Sequence, residues 1–179
     1  PEGSLDVGHG LESLVDQAAI LDGGLAAWTS SGNQLSLEPV SRPAKKLTPK
    51  PRPELIADHD EVLAGIDDDA VVLIDTLPEA FYRGEMSIYP RAGHISGAVN
   101  IDGLSLLDNR GHLLPQEELQ AMHELDRNAR IITYCGGGIL ASLNALVMTR
   151  MGYSDVAVYT ASLQEWAADE ANPLVVEED

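Results

Sequence analysis

Cys135 is the only cysteine among 179 residues, and the chain around it reads Tyr134-Cys135-Gly136-Gly137-Gly138-Ile139-Leu140-Ala141-Ser142. The apolar run Arg130 to Tyr134 leads into it, and a helical pattern follows from Ala141. This order predicts a strand, a glycine loop carrying one thiol, and a helix. A sulfur at a helix start meets the positive end of the helix dipole and a concave set of backbone N–H groups. Both favour its anionic, nucleophilic form. Three successive glycines let the backbone turn its N–H groups inward. The N–H groups of Gly136, Gly137, Gly138, Ile139, Leu140 and Ala141 are therefore a candidate cradle for the sulfur and any anion it carries. The bland alternative is an inert buried cysteine in a tight turn.

The elements that must hold this loop lie on both sides of it. Asp58 with Glu61 forms a capping-box pattern for a helix through Ala64, with Gly65 as its stop. Val71 to Asp75 is a β-branched run suited to a strand buried on both faces, and Ala98 to Ile101 is a second short strand candidate. Pro115 opens a helix through Asp126, before the strand Arg130 to Tyr134. After the glycine loop come a helix from Ala141 to Met151 stopped by Gly152, a strand Val156 to Tyr159, and a helix capped by Ser162 with Glu165 three residues on. Alternating strands and helices predict an α/β fold with an open, mostly parallel sheet. Ligands bind such sheets beyond the carboxyl ends of the strands, where the Cys135 loop begins. Asp75 also ends a strand; it either faces that edge or accepts backbone N–H bonds there.

Composition narrows the setting. A formal net charge of −18 argues against nucleic acid as a partner, because phosphate binding needs clustered Lys and Arg. No apolar run approaches the roughly 20 residues of a membrane span, and the start lacks a basic segment followed by an apolar one, so the cytoplasm is the expected compartment. One cysteine forms no internal disulfide, and no Cys/His cluster has metal-ligand spacing. Residues 39–53 carry five prolines and the basic residues Arg42, Lys45, Lys46, Lys50 and Arg52, which suit an extended linker, either a solvated tether or a strap along the acidic domain. Ala19 to Trp28 aligns without gaps to Ala157 to Trp166 at a constant offset of 138 residues, with Ala, Leu and Trp matching. The repeat divides the chain into 1–38, the end of an earlier homologous domain, the linker, a complete domain at 54–174, and an acidic tail at 175–179. Leu25 and Trp28 are expected to pack on the complete domain or on a second chain, giving intrachain or dimer contacts through residues 19–28.

Taken in order, Asp75-Thr76-Leu77, Phe81-Tyr82-Arg83-Gly84, Arg91-Ala92-Gly93-His94-Ile95-Ser96-Gly97-Ala98-Val99-Asn100, the Cys135 loop and Tyr159 to Trp166 resemble the rhodanese family. The likeness is to the second domain of tandem thiosulfate or 3-mercaptopyruvate sulfurtransferases, and it covers residues 54–174. It implies a ping-pong transfer without metal or organic cofactor. Cys135 would take sulfur from a small anionic donor, carry it as a persulfide, and pass it to a thiol or cyanide. By the same resemblance Arg83 is a candidate for gripping the charged end of the donor, against a surface ion pair. Arg91 is a second candidate, which could equally pair with one of the many acids. His94 either braces its loop or transfers a proton, and Glu165 and Trp166 read as capping and core residues.

Departures from the family pattern put the donor in question. Leu77 stands where many relatives have Arg, and Gly137 and Leu140 replace the Ser and Thr of mercaptopyruvate-using relatives. The loop has no charged side chain. A catalytically silent binding module on the same fold is therefore the alternative to an enzyme. Phosphatases of related fold need a longer loop closed by Arg, but the sixth residue after Cys135 is Ala141.

Overall fold

A computed structural model describes Ser4–Asp6 and residues 19–44, 46 and 48–177. Its strands are β1 (Ser4–Asp6), β2 (Ala19–Leu21), β3 (Ile56–Ala57), β4 (Val71–Asp75), β5 (His94–Ile95), β6 (Val99–Asn100), β7 (Arg130–Tyr134), β8 (Val156–Tyr159) and β9 (Leu174–Val175). The helices are α1 (Gly24–Ser30), α2 (His59–Gly65), α3 (Glu79–Tyr82), α4 (Gln116–Met122), α5 (Ile139–Arg150) and α6 (Ser162–Trp166), with 3₁₀ turns at Pro53–Leu55 and Gly103–Leu106.

The main sheet has the order β3-β8-β7-β4-β6, and every pairing in it is parallel. Its centre is the pair β4–β7, in register from Val71 opposite Arg130 to Asp75 opposite Tyr134. Continuous apolar runs form these strands because helices cover the sheet and both faces are buried. Ile74, Ile131, Ile132, Tyr134, Tyr159, Met148 and Trp166 are among the large side chains sealed in the core. The expected strand at Ala98 to Ile101 is present as the short edge strand β6. Three strands of only two residues escape the sequence patterns: β3, which closes the other edge, and β5 and β9, which pair antiparallel with each other.

Helix ends differ from expectation for local reasons. α4 stops at Met122, short of Asp126. His123 leaves helical geometry, its Nδ1–H donates to the Leu119 carbonyl at 2.7 Å, and its own carbonyl takes the Tyr153 hydroxyl. Its Nε2 accepts from Asn144 Nδ2 at 3.2 Å, so the ring is buried and neutral, and burial lowers its pKa below the ordinary histidine value. α5 begins two residues before Ala141, at Ile139, because Gly138 takes a left-handed φ of 85° and serves as its N-cap. Asp58 caps α2 by accepting from Glu61 N–H at 2.9 Å, but the Glu61 carboxylate turns to Arg130 at 2.8 Å instead of completing a capping box.

The repeat seen in sequence is also a repeat of backbone. β2 and α1 stand 138 residues before the matching parts of β8 and α6, and Gly24 and Ser162, which share that offset, both have φ of 55°. Asp22 ties this segment to the main domain, its Oδ1 accepting from Leu113 N–H at 3.0 Å and its Oδ2 lying 3.5 Å from His112 Nδ1. Ile20 and Leu21 line a cavity of about 300 Å³ against Leu143 and Leu146 of α5. Leu25 and Trp28, expected to pack on the complete domain or on a second chain, are 64% and 44% exposed in the single chain. The hydrogen bond to the domain comes from the β2–α1 turn, while Ala26, Ala27 and Ser30 of α1 face Asn109, Arg110 and His112 across a cavity.

Candidate active site

β7 delivers Cys135 to the carboxyl edge of the sheet, between neighbours β4 and β8. The thiol is free and 3% exposed. Its Sγ accepts the Gly138 N–H at 3.1 Å, closing a turn around the sulfur. The rest of the loop is shaped by α6. Leu163 N–H donates to the Cys135 carbonyl at 3.1 Å, and Gln164 N–H to the Gly136 carbonyl at 3.0 Å. In a trans peptide the N–H opposes the C=O. Drawing these two carbonyls toward α6 therefore aims the N–H groups of Gly136 and Gly137 away from it. The first turn of α5 adds N–H donors for which a helix has no internal acceptor. Gly136, Gly137, Gly138, Ile139, Leu140 and Ala141 thus share one turn; Ile139 is exposed, and Ala141 is buried with its carbonyl accepting the Thr133 hydroxyl at 3.0 Å. Gly138 must be glycine, because it is left-handed and a Cβ there would sit 3.0 Å from the Thr160 carbonyl oxygen.

Ser162 has a different part from the expected cap. Its Oγ accepts the buried Cys135 N–H at 3.1 Å and donates to the Tyr159 carbonyl at 2.7 Å. Ala161 occupies the N-cap position, and Glu165 bonds the Tyr159 hydroxyl at 2.5 Å instead of reaching back. Ser162 is the one non-glycine among the described residues at positive φ. The strain puts its hydroxyl under the Cys135 N–H, a role no spacing rule reveals.

Asp75, across from Tyr134 in the β4–β7 register, is fully buried. Its Oδ1 accepts from Leu77 N–H at 2.8 Å, the strand-end role considered from sequence, while Oδ2 has no hydrogen bond of ordinary geometry. Burial raises its pKa to about 7, against the pull of the Leu77 N–H and the Tyr134 hydroxyl. His94 is a brace. Its Nδ1 donates to the Tyr82 carbonyl at 2.8 Å and its ring stacks on Tyr82 at 3.7 Å, while the Tyr82 hydroxyl holds the Ala98 carbonyl at 2.8 Å.

The two arginines are differently placed from the anion forks the resemblance implies. Arg91 donates to four carbonyls, those of Ala167, Asn172, Trp166 and Asp169, at 2.6–3.2 Å. That geometry clamps the chain after α6 and consumes the guanidinium. Arg83 lies among Glu85, Glu79 and Glu177 at 3.2, 3.6 and 3.7 Å. Tyr89 enters without having been singled out. A Cβ on Gly136 would lie 1.8 Å from its hydroxyl oxygen, so the ring rests on the loop backbone. Among the described residues, no group of His, Cys, Asp and Glu could hold a metal ion, and no helix is long and apolar enough to cross a membrane.

A parallel α/β sheet with one cysteine in a glycine loop at its carboxyl edge defines a thiol-bearing module of a known class. Residues 58–169 match the rhodanese-like domain, and the chain belongs to that family. It is 30% identical over 164 residues to the Pseudomonas aeruginosa protein named "Probable 3-mercaptopyruvate sulfurtransferase", covering 89% of this chain and 58% of that one. It is 30% identical over 156 residues to the thiosulfate sulfurtransferase of Bos taurus, covering 83% and 52%. The chain spans about half the length of the relatives it matches. Among solved structures, an anaerobic ergothioneine biosynthesis enzyme from Chlorobium limicola, in complex with its natural substrate trimethyl histidine, superposes with a TM-score of 0.86. That match covers 96% of this chain and 44% of the other at 23% identity, a likeness of fold.

Proposed function

We propose that this domain is a sulfurtransferase in which Cys135 attacks the outer sulfur of a small anionic donor of the thiosulfate or 3-mercaptopyruvate type. With thiosulfate, a new S–S bond forms to Cys135, the donor S–S bond breaks, and sulfite leaves with the electron pair. Cyanide or a thiolate then attacks the outer sulfur of the persulfide, and the electron pair returns to Cys135. The observation carrying this reading is the turn around the thiol, with Gly138 N–H on Sγ at 3.1 Å and the Gly136 and Gly137 N–H groups directed away from α6. Such preorganised donors stabilise charge on sulfur as an oxyanion hole does on oxygen. No metal or organic cofactor enters these steps. A cytoplasmic setting suits a thiol that must stay reduced. Residues 1–38 are read as the end of an earlier, first rhodanese-like unit, supported by the shared backbone conformation of Gly24 and Ser162.

The test is intact-protein mass after incubation with thiosulfate or 3-mercaptopyruvate. The expected result is the gain of one sulfur atom, lost again on adding cyanide and absent in Cys135→Ser. Failure of both donors to load the wild-type protein would overturn the enzyme reading. The second reading, a silent rhodanese-like binding module, is favoured by one observation: Arg91 is spent on carbonyls and Arg83 sits among three carboxylates, so neither is arranged as an anion fork.

A further inference from the structure

Tyr89 rests its polar end on the Cys135 loop, where its hydroxyl has no hydrogen-bond partner among the described residues. Its hydroxyl oxygen and Cζ would lie 1.8 and 2.9 Å from a Cβ at Gly136, so glycine at that position is what admits the ring. The segment is held from beneath: Ser87 Oγ accepts from Tyr89 N–H at 3.0 Å and donates to the Tyr89 carbonyl at 3.1 Å and the Arg91 carbonyl at 3.3 Å. Arg91 in turn is fixed by its four carbonyls. Two anchors this close leave the ring little freedom. The hydroxyl itself makes no hydrogen bond to any described residue, although it lies within electrostatic reach of Cys135 and Asp75. Partial burial raises the phenol pKa, so Tyr89 stays protonated and is a donor. A half-buried donor without a partner, pressed on the residue after the nucleophile, is arranged for something that arrives at the thiol.

We propose that the Tyr89 hydroxyl donates a hydrogen bond to the outer sulfur once Cys135 carries it, making Tyr89 a further persulfide-binding residue. The inference rests on the sulfurtransferase reading of Cys135. The phenol keeps its proton throughout. It draws charge from the terminal sulfur, which lessens the repulsion of an anionic acceptor and makes that sulfur the better electrophile. When cyanide attacks, the new C–S bond forms at this atom, the S–S bond breaks, and thiocyanate leaves the hydroxyl free again. The loop N–H groups serve the sulfur of Cys135, and Tyr89 serves the sulfur in transit.

The experiment compares wild type with Tyr89→Phe, which removes a hydroxyl without a partner and keeps the ring that packs on Gly136. Both proteins are loaded chemically with hydropolysulfide, which places one sulfur on a reactive thiolate independently of any physiological donor, and the rate of thiocyanate release with cyanide is followed. Tyr89→Phe is expected to melt with the wild type and to transfer sulfur about tenfold more slowly, the effect of one hydrogen bond to a charged group. Gly136→Ala, whose methyl group displaces the ring, is expected to lose at least as much. Transfer within twofold of wild type in Tyr89→Phe would overturn the proposal. If thiosulfate and 3-mercaptopyruvate fail to load a wild-type protein that hydropolysulfide does load, the donor reading falls while the comparison still decides Tyr89.

Discussion

At the scale of single residues, two buried groups, Asp75 and His123, set a pH dependence. Asp75 has its pKa raised from 3.8 to about 7. Between those values the native protein holds a proton that the unfolded chain has released, so the stability from this group is full below 3.8 and is lost as pH rises through about 7. His123 works in the opposite sense: its lowered pKa gives stability that is present above the ordinary histidine value and is lost as pH falls. Asp75→Asn isolates the first effect, since the amide oxygen still accepts from Leu77 N–H. Denaturant titrations are expected to show the variant overtaking wild type as the solution passes from mildly acidic to mildly alkaline. A constant difference across that range would sink the assignment. Cys135 itself was legible from sequence, because a lone thiol between an apolar run and three glycines has few other uses. Tyr89 was not, because it lies 46 positions upstream and is brought to the loop only by the fold.

At the scale of elements, the Cys135 loop depends on the strand-to-helix turn after β8. Ser162 holds the left-handed conformation that glycine holds at the matching position of the β2–α1 turn. For a residue with a Cβ that conformation costs about 1–2 kcal/mol, and here it places a hydroxyl under the Cys135 N–H. Two substitutions separate these contributions. Ser162→Ala keeps the strain and leaves a buried N–H without a partner, and it is expected to lose about 1–3 kcal/mol of unfolding free energy. Ser162→Gly loses the same bond but relaxes the backbone, so it should fall between alanine and wild type. Glycine proving the worse of the two in chemical denaturation would refute the strain argument. The elements that sequence patterns located well, β4, β7 and β8, are those whose apolar runs are buried on both faces. β3, β5 and β9 each pack an apolar side chain on the core, Ala57, Ile95 and Leu174, but two residues leave no pattern to read.

At the scale of the molecule, Asp22 is the join between the repeated β2–α1 segment and the domain, through Leu113 N–H and His112. Asp22→Ala is expected to cost about 1 kcal/mol, or about 2–4 °C in Tm for a chain of this size. An unchanged Tm would mean that the segment contributes nothing to the stability of the domain. The sequence by itself determined the class of fold, the lone thiol and its glycine loop, and the repeat, because each is a local pattern in which periodicity, glycine spacing and one thiol are contiguous. Only the tertiary structure decided the fate of the long side chains. It sent Arg91 to four carbonyls and Arg83 to three carboxylates, turned Ser162 toward Cys135, and laid Tyr89 on Gly136. The physical reason is reach: a backbone pattern is fixed by neighbours in the chain, whereas a guanidinium or a phenol spans several ångströms and takes whichever partners the packed elements bring to it.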